Sequence, residues 1–197
     1  DDLLHWKHAK INLSKDYPKH FGDAYWVWAP QTIYDRKAKK YMIYFTLQRN
    51  DRKSLITYYA YANKDFTGFE NEPKQLFSAK YGSIDNDIIE RDGTYHLFYK
   101  GNTKDENGKE VKNGIQQATS KSLKGKWKED FRYVDAYAGK TPVEGSSIFK
   151  LNGKDEYVLM YDMYTSGRYE YQTSTDLYHF SEPKAFTKDF FPRHGSV

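Results

Sequence analysis

The chain contains no cysteine, which excludes disulfides, thiolate metal sites and a cysteine nucleophile together. It also lacks any apolar run approaching the roughly 18 residues that a membrane-spanning helix requires. Charge imbalance is small: 31 Lys and Arg stand against 27 Asp and Glu, a formal net charge of +4. The basic residues are scattered singly through turn-like segments (Lys37, Lys39, Lys40, Lys124, Lys126, Lys128). A nucleic-acid binder gathers such residues on one face, so that class is disfavoured. Hydrophobic residues amount to only 38% of 197 residues, so a core of useful size needs bulk from another source. No leader segment is legible, and Asp1 is an unusual first residue, so the natural polypeptide is expected to extend upstream.

Aromatic residues supply the bulk. Nineteen Tyr, twelve Phe and four Trp make 18% of the chain. That richness favours strands over helices and suits proteins that stack flat ligands such as sugar rings, although β-proteins are commonly Tyr-rich without any ligand.

A repeat organises the sequence. A polar residue, an apolar residue and then an aromatic recur in Asp2-Leu3-Leu4-His5-Trp6, Asp65-Phe66-Thr67-Gly68-Phe69, Ser122-Leu123-Lys124-Gly125-Lys126-Trp127 and Asp176-Leu177-Tyr178-His179-Phe180. The polar positions, 2, 65, 122 and 176, follow one another at intervals of about 60 residues. Between signatures the order is constant. A first strand (Pro30 to Tyr34, Asp87 to Glu90, Ser147 to Leu151) turns at Asp35-Arg36-Lys37, Asp92-Gly93 or Asn152-Gly153 into an aromatic second strand (Tyr41 to Thr46, Tyr95 to Tyr99, Tyr157 to Tyr161). A third strand (Ile56 to Ala62, Gly114 to Thr119, Arg168 to Ser174) precedes each signature, and a fourth is expected beyond it (Lys74 to Phe77, Arg132 to Val134, Lys184 to Phe186). Four short antiparallel strands per repeat predict an all-β fold, a β-propeller; a β-sandwich would leave the repeat unexplained. Three whole blades with a partial blade at each end predict a five-bladed propeller, a single domain over residues 1–197 that is incomplete at both ends.

The innermost strand of each propeller blade lines a central channel, so equivalent strand starts converge on one pocket. Those starts are Trp28-Ala29-Pro30, Ile84-Asp85-Asn86-Asp87, Val143-Glu144-Gly145 and Arg193-His194-Gly195. Two acids, an aromatic and a histidine at matched positions are what glycoside hydrolysis needs: one protonated carboxyl, one ionised carboxyl, and a flat face for the ring. Trp28, with Trp26 on the same alternating face, is either a sugar platform or inter-blade core. Asp85 is read as functional and Asp87 as a loop-capping residue. Tyr164 and Arg168, after the last hairpin, are placed to reach sugar hydroxyls. Asp105 and Glu106 read as a hairpin tip rather than a calcium loop.

These strand starts, in this order and spacing, resemble glycoside hydrolase family 43, the five-bladed propeller enzymes acting on arabinosides and xylosides, over nearly the whole chain. The resemblance implies an inverting glycosidase that degrades plant-type polysaccharides such as arabinan and xylan, with Glu144 as general acid and Asp85 tuning its pKa and orienting it. The general base would come from a blade preceding Asp1. His194 matches the channel histidine that sits beneath the sugar or helps hold a metal through water. No cofactor is required, although a structural calcium ion in the channel is compatible. The sister β-fructosidases place Cys after their acid, whereas Gly145 follows Glu144 here. A non-catalytic sugar-binding propeller would keep the aromatics and lose a carboxylate. A carbohydrate partner and an extracellular or periplasmic location follow from the substrate, with neither nucleic acid nor a membrane span expected.

Overall fold

The computed structural model describes residues 4–53, 55–101, 107–109, 114–131, 134, 142–186 and 193–197. Among these, twelve strands form three four-stranded antiparallel sheets whose spatial order follows the chain. The first sheet holds β1 (Ala24–Asp35), β2 (Lys40–Arg49), β3 (Leu55–Tyr61) and β4 (Lys74–Phe77). The second holds β5 (Ser83–Arg91), β6 (Thr94–Gly101), β7 (Ile115–Ser120) and β8 (Lys128–Asp130), and the third β9 (Glu144–Lys150), β10 (Tyr157–Met163), β11 (Arg168–Ser174) and β12 (Lys184–Ala185). β5 lies against β1 on one side and β9 on the other, so the innermost strands face one another. The sheets are blades, and the chain is part of a β-propeller.

Burial explains why the second strands read as apolar runs instead of alternating. The middle blade is covered on both faces, so consecutive β6 residues bury in opposite directions. Leu97 and Tyr99 join Met42, Tyr44 and Leu123 between the first two blades. Phe98 joins Ile115, Leu159, Tyr161 and Leu177 between the second and third. Removing such a side chain from water contributes about 1.5–3 kcal/mol. The repeated signature now has a physical meaning. Its apolar residue, Leu123 or Leu177, plugs the interface with the preceding blade, and its aromatic packs nearby, Trp127 on Phe77 and Phe180 on Phe98. The polar residue folds the turn. Asp176 Oδ1 accepts the N–H groups of Tyr178 and His179, each at 2.8 Å.

The fourth strand of the middle blade is Lys128–Asp130, paired with Gln117–Thr119 directly after Trp127; of the Arg132 to Val134 segment expected to hold it, Arg132 and Tyr133 lie outside the described residues. Val134 still follows β7, its N–H donating to the Ile115 carbonyl at 2.9 Å. The N-terminal region contains two one-turn helices not expected from the sequence, α1 (Leu13–Asp16) and α2 (Pro18–Phe21). Asn12 caps the first through the Lys15 N–H at 3.1 Å, Pro18 opens the second, and Leu13 and Phe21 bury against Phe45 and Leu47. Asp1 to Leu3 lie outside the described residues.

A buried histidine makes the second interface sensitive to acid. His96 is 2% exposed, and its Nδ1 accepts from the Gln117 amide at 3.0 Å, which also donates to the Leu177 carbonyl. Burial, reinforced by Arg91 and Lys121, pushes His96 down to about 4. An unfolded histidine titrates near 6.5. Between those values unfolding takes up a proton, so this contribution is intact above pH 6.5 and is lost as pH falls toward 4. Chemical denaturation at several pH values across that window should therefore show the wild type losing stability relative to His96→Gln as pH falls, with a slope equivalent to about one proton.

Candidate active site

One backbone device recurs at the mouths of β1, β5 and β9 and at the matching position near the end of the chain. Ala29, Asp85, Gly145 and His194 occupy equivalent positions and all have left-handed φ, at 45°, 54°, 64° and 46°. The strand ladders slip at the same places, between Trp28 and Gln31, between Ile84 and Asp87, and opposite Glu144 between Met160 and Asp162. These are bulges, which bend a strand and re-aim its side chains. Left-handed backbone at a non-glycine residue is uncommon and clusters where function over-determines the conformation. Gly145 has a second reason to lack a side chain: a Cβ there would meet His194 Nδ1 at 3.0 Å.

The three bulges and the left-handed His194 surround a pocket of about 180 Å³, lined by Ala29, Asp85, Gly145 and His194 with Gln31, Asn86 and Ser196 among their neighbours. Asp85 is 8% exposed. Its Oδ2 accepts the Gly145 N–H at 2.8 Å, and its carbonyl accepts the Ser146 hydroxyl at 2.6 Å. Burial raises the Asp85 pKa, with the Gly145 hydrogen bond and His194 acting against that rise. Its backbone acceptance is thus across blades and not within its own loop.

Asp87 is not a loop cap. It is a buried strand residue that accepts from Tyr44 Oη at 3.1 Å, its neighbour Ile88 N–H at 3.0 Å and Ile148 N–H at 2.8 Å, joining all three blades. Burial pushes its carboxyl up to about 6. Asn86 adds a further tie, donating to Thr46 Oγ1 at 2.8 Å and Thr57 Oγ1 at 3.1 Å.

Glu144 opens β9 beside this pocket, its side chain 15% exposed. Oε2 accepts from Lys100 Nζ at 2.9 Å, while Oε1 lies 3.0 Å from the Arg193 guanidinium and 3.3 Å from His194 Nε2. Three of a carboxylate's roughly four acceptor positions are therefore engaged. Arg193 also binds Asp162 Oδ2 through Nε at 2.6 Å. Asp162 is directly across the β9–β10 ladder from Glu144, a partnership the sequence reading missed. Its signal was the single acid in the apolar strand Tyr157-Val158-Leu159-Met160-Tyr161-Asp162-Met163. Lys100 was missed in the same way, at the end of the aromatic β6.

The other expected site residues divide. Tyr164 is at the cluster, with Lys100 Nζ 4.9 Å from its ring centre. Trp26 and Trp28 are not among the residues lining the pocket; they form a near-parallel pair, centroids 5.9 Å apart and planes 11° from parallel. Arg168 is not at the cluster: strand alternation turns it toward Glu170, its ion-pair partner on β11. The intervening Tyr169 reaches the site instead, its hydroxyl accepting the Gly195 N–H at 2.8 Å. Asp105 and Glu106 lie outside the described residues. His194 has two carboxylates beside it: one ligand atom each from Glu144, Asp162 and His194 lie within 4.8 Å of one another. The set fits calcium poorly, because that ion wants six to eight oxygens and Arg193 already holds both carboxylates.

The family model Glyco_hydro_43_rel, a probable glycosyl hydrolase domain, matches residues 1–197. No curated protein sequence matches. Among solved structures, a β-fructofuranosidase from Schwanniomyces occidentalis superposes with a TM-score of 0.67 at 14% identity, covering 84% of this chain and 35% of the enzyme. An endo-arabinase from Bacteroides thetaiotaomicron gives 0.54 at 17% identity, covering 83% and 57%. A family 43 β-xylosidase/α-arabinofuranosidase from a compost microbial metagenome gives 0.57 at 14%, covering 81% and 58%. The chain therefore spans between 35% and 58% of these enzymes' lengths, and at these identities the likeness is one of fold.

Replacing Arg193 by Met should leave Glu144 and the buried Asp162 facing each other without their shared counter-ion. Thermal unfolding should show a loss of several degrees, with part of it restored by adding Asp162→Asn to the Arg193→Met variant.

Proposed function

The chain belongs to the glycosyl hydrolase family whose model spans it, and from that membership we propose that it forms the catalytic core of a glycosidase cleaving arabinofuranosyl or xylosyl linkages with inversion. The observation that carries this reading is the hydrogen bond by which Asp85, in the pocket wall, holds the N–H of Gly145, the residue that follows Glu144 on the adjacent blade.

In this mechanism Glu144 is the general acid, protonating the glycosidic oxygen as the bond to the anomeric carbon breaks. Sugar hydroxyls entering the pocket take over contacts now made by Lys100 and Arg193, freeing Glu144 for that transfer. Asp85 is the positioning residue. Its hold on Gly145 fixes the peptide that carries Glu144. The base must act across the sugar ring, about 6.5–9.5 Å from the acid in inverting enzymes. Asp162 lies too near Glu144 for that task and is locked beneath Arg193. We therefore do not assign the base to Asp162. Polysaccharide fragments are met outside the cytoplasm, so the protein is placed there or in the periplasm.

The test is hydrolysis of nitrophenyl α-L-arabinofuranoside, nitrophenyl β-D-xylopyranoside, arabinan, xylan and sucrose by the full chain and by Glu144→Gln. Turnover of an arabinoside or xyloside is expected, with Glu144→Gln slower by about 10²–10⁴-fold on the polysaccharide. The loss should be smaller on the nitrophenyl glycoside, whose leaving group scarcely needs a proton. Turnover of sucrose alone would reassign the linkage to fructosides, the chemistry named for the scaffold with a TM-score of 0.67. Sugar binding by both proteins without turnover would make this a non-catalytic sugar-binding propeller.

A further inference from the structure

We infer that Tyr169 is a second positioning residue: through the Gly195 peptide it holds the His194 imidazole in the pocket wall, where His194 engages the bound sugar. The inference rests on the glycosidase reading above and adds the means by which segment 193–197 is fixed to the site.

His194 differs from the residues it matches. Ala29, Asp85 and Gly145 lie inside β1, β5 and β9, whose ladders hold the backbone on either side of each bulge. His194, at φ 46°, belongs to no strand among the described residues. A left-handed non-glycine residue persists only where its surroundings over-determine it, so here side chains must do the holding.

The third blade supplies them. Glu144, Asp162 and Tyr169 stand directly across from one another on β9, β10 and β11, and the last two grip the residues on either side of His194. Asp162 Oδ2 accepts from Arg193 Nε at 2.6 Å, and Tyr169 Oη accepts the Gly195 N–H at 2.8 Å. Ser196 is tied in turn to Gln31 at 3.2 Å. Of these three contacts the one to Tyr169 fixes the main chain, at the peptide joining His194 to Gly195. Tyr169 is 4% exposed, and its ring meets Phe186 edge-on at 5.9 Å and packs with Val158 and Met160, so the hydroxyl has a set location. The approach is close: a Cβ on Gly195 would meet that hydroxyl at 3.1 Å. The imidazole so placed lines the pocket, 3.3 Å from Glu144 Oε1, with 42% of its side chain open to a ligand.

The test is Tyr169→Phe, which removes the acceptor and keeps the buried ring, with Tyr171→Phe on the same strand as control. Diethyl pyrocarbonate modification, followed at each histidine by mass spectrometry, should run severalfold faster at His194 in Tyr169→Phe, and be unchanged at the buried His96 and throughout Tyr171→Phe. On the glycoside that the wild type hydrolyses, Tyr169→Phe should raise KM about tenfold with kcat nearly unchanged, the signature of lost uniform binding. His194→Ala should raise KM at least as far, and adding Tyr169→Phe to it should cost nothing more, because residues acting through one another do not add. Equal His194 modification rates in wild type and Tyr169→Phe would overturn the inference. So would faster modification of His194 and His96 alike, which is general loosening, additive losses in KM, or a KM that either substitution leaves unmoved in an active enzyme. If no glycoside turns over, the glycosidase reading has failed, and the modification rates still decide whether Tyr169 positions His194.

Discussion

The Gly145 N–H to Asp85 Oδ2 hydrogen bond is the joint on which the pocket depends. It links the mouths of two innermost strands at their bulges, and each bulge is only tolerable because the neighbouring blade satisfies it. Without the bulge, the strand would continue its two-residue alternation and carry Glu144 to a different face. The left-handed residue costs local backbone energy, of order 1 kcal/mol or more. The cross-blade hydrogen bonds of Asp85 and Ser146 offset it with polar contacts made in a buried setting.

Around that joint the blades are stitched by side chains that would be hard to replace singly. Asp87 satisfies amides and a phenol from three blades, and Asn86 reaches back to two threonines of the first. The apolar contacts at Leu97, Leu159 and Leu177 supply most of the cohesion, while these polar ties set the rotational register between sheets. A purely apolar interface could slide; a buried carboxylate with fixed donors cannot do so without leaving them unpaired.

The strands were legible because their signals are local. Asp92-Gly93 and Asn152-Gly153 mark hairpins, and the flanking aromatic runs mark the strands they join, so that β11 is found at its predicted bounds. The Asp85 and Glu144 positions were legible through the repeat, which identified equivalent strand starts. Asp162, Lys100 and the anchoring use of Arg193 were not, because their convergence depends on cross-strand register and on bulges that no short window reveals. Arg168 was misplaced by one step of alternation, the difference between its side chain and that of Tyr169. The three-residue β8 and the one-turn helices are too short to impose a period on the sequence.

One contact spans nearly the whole chain. Gln31, just past the first bulge, hydrogen-bonds Ser196 at 3.2 Å across a separation of 165 residues. The channel wall is thus assembled from segments that meet only after every intervening blade has formed. Loop closure on that scale is entropically demanding and slow. Each hairpin can form early from its own turn, but the cavity has no precursor within any single blade. It comes into being when the ring of strand starts is drawn together, late in folding, and it is the first feature lost when the blades separate.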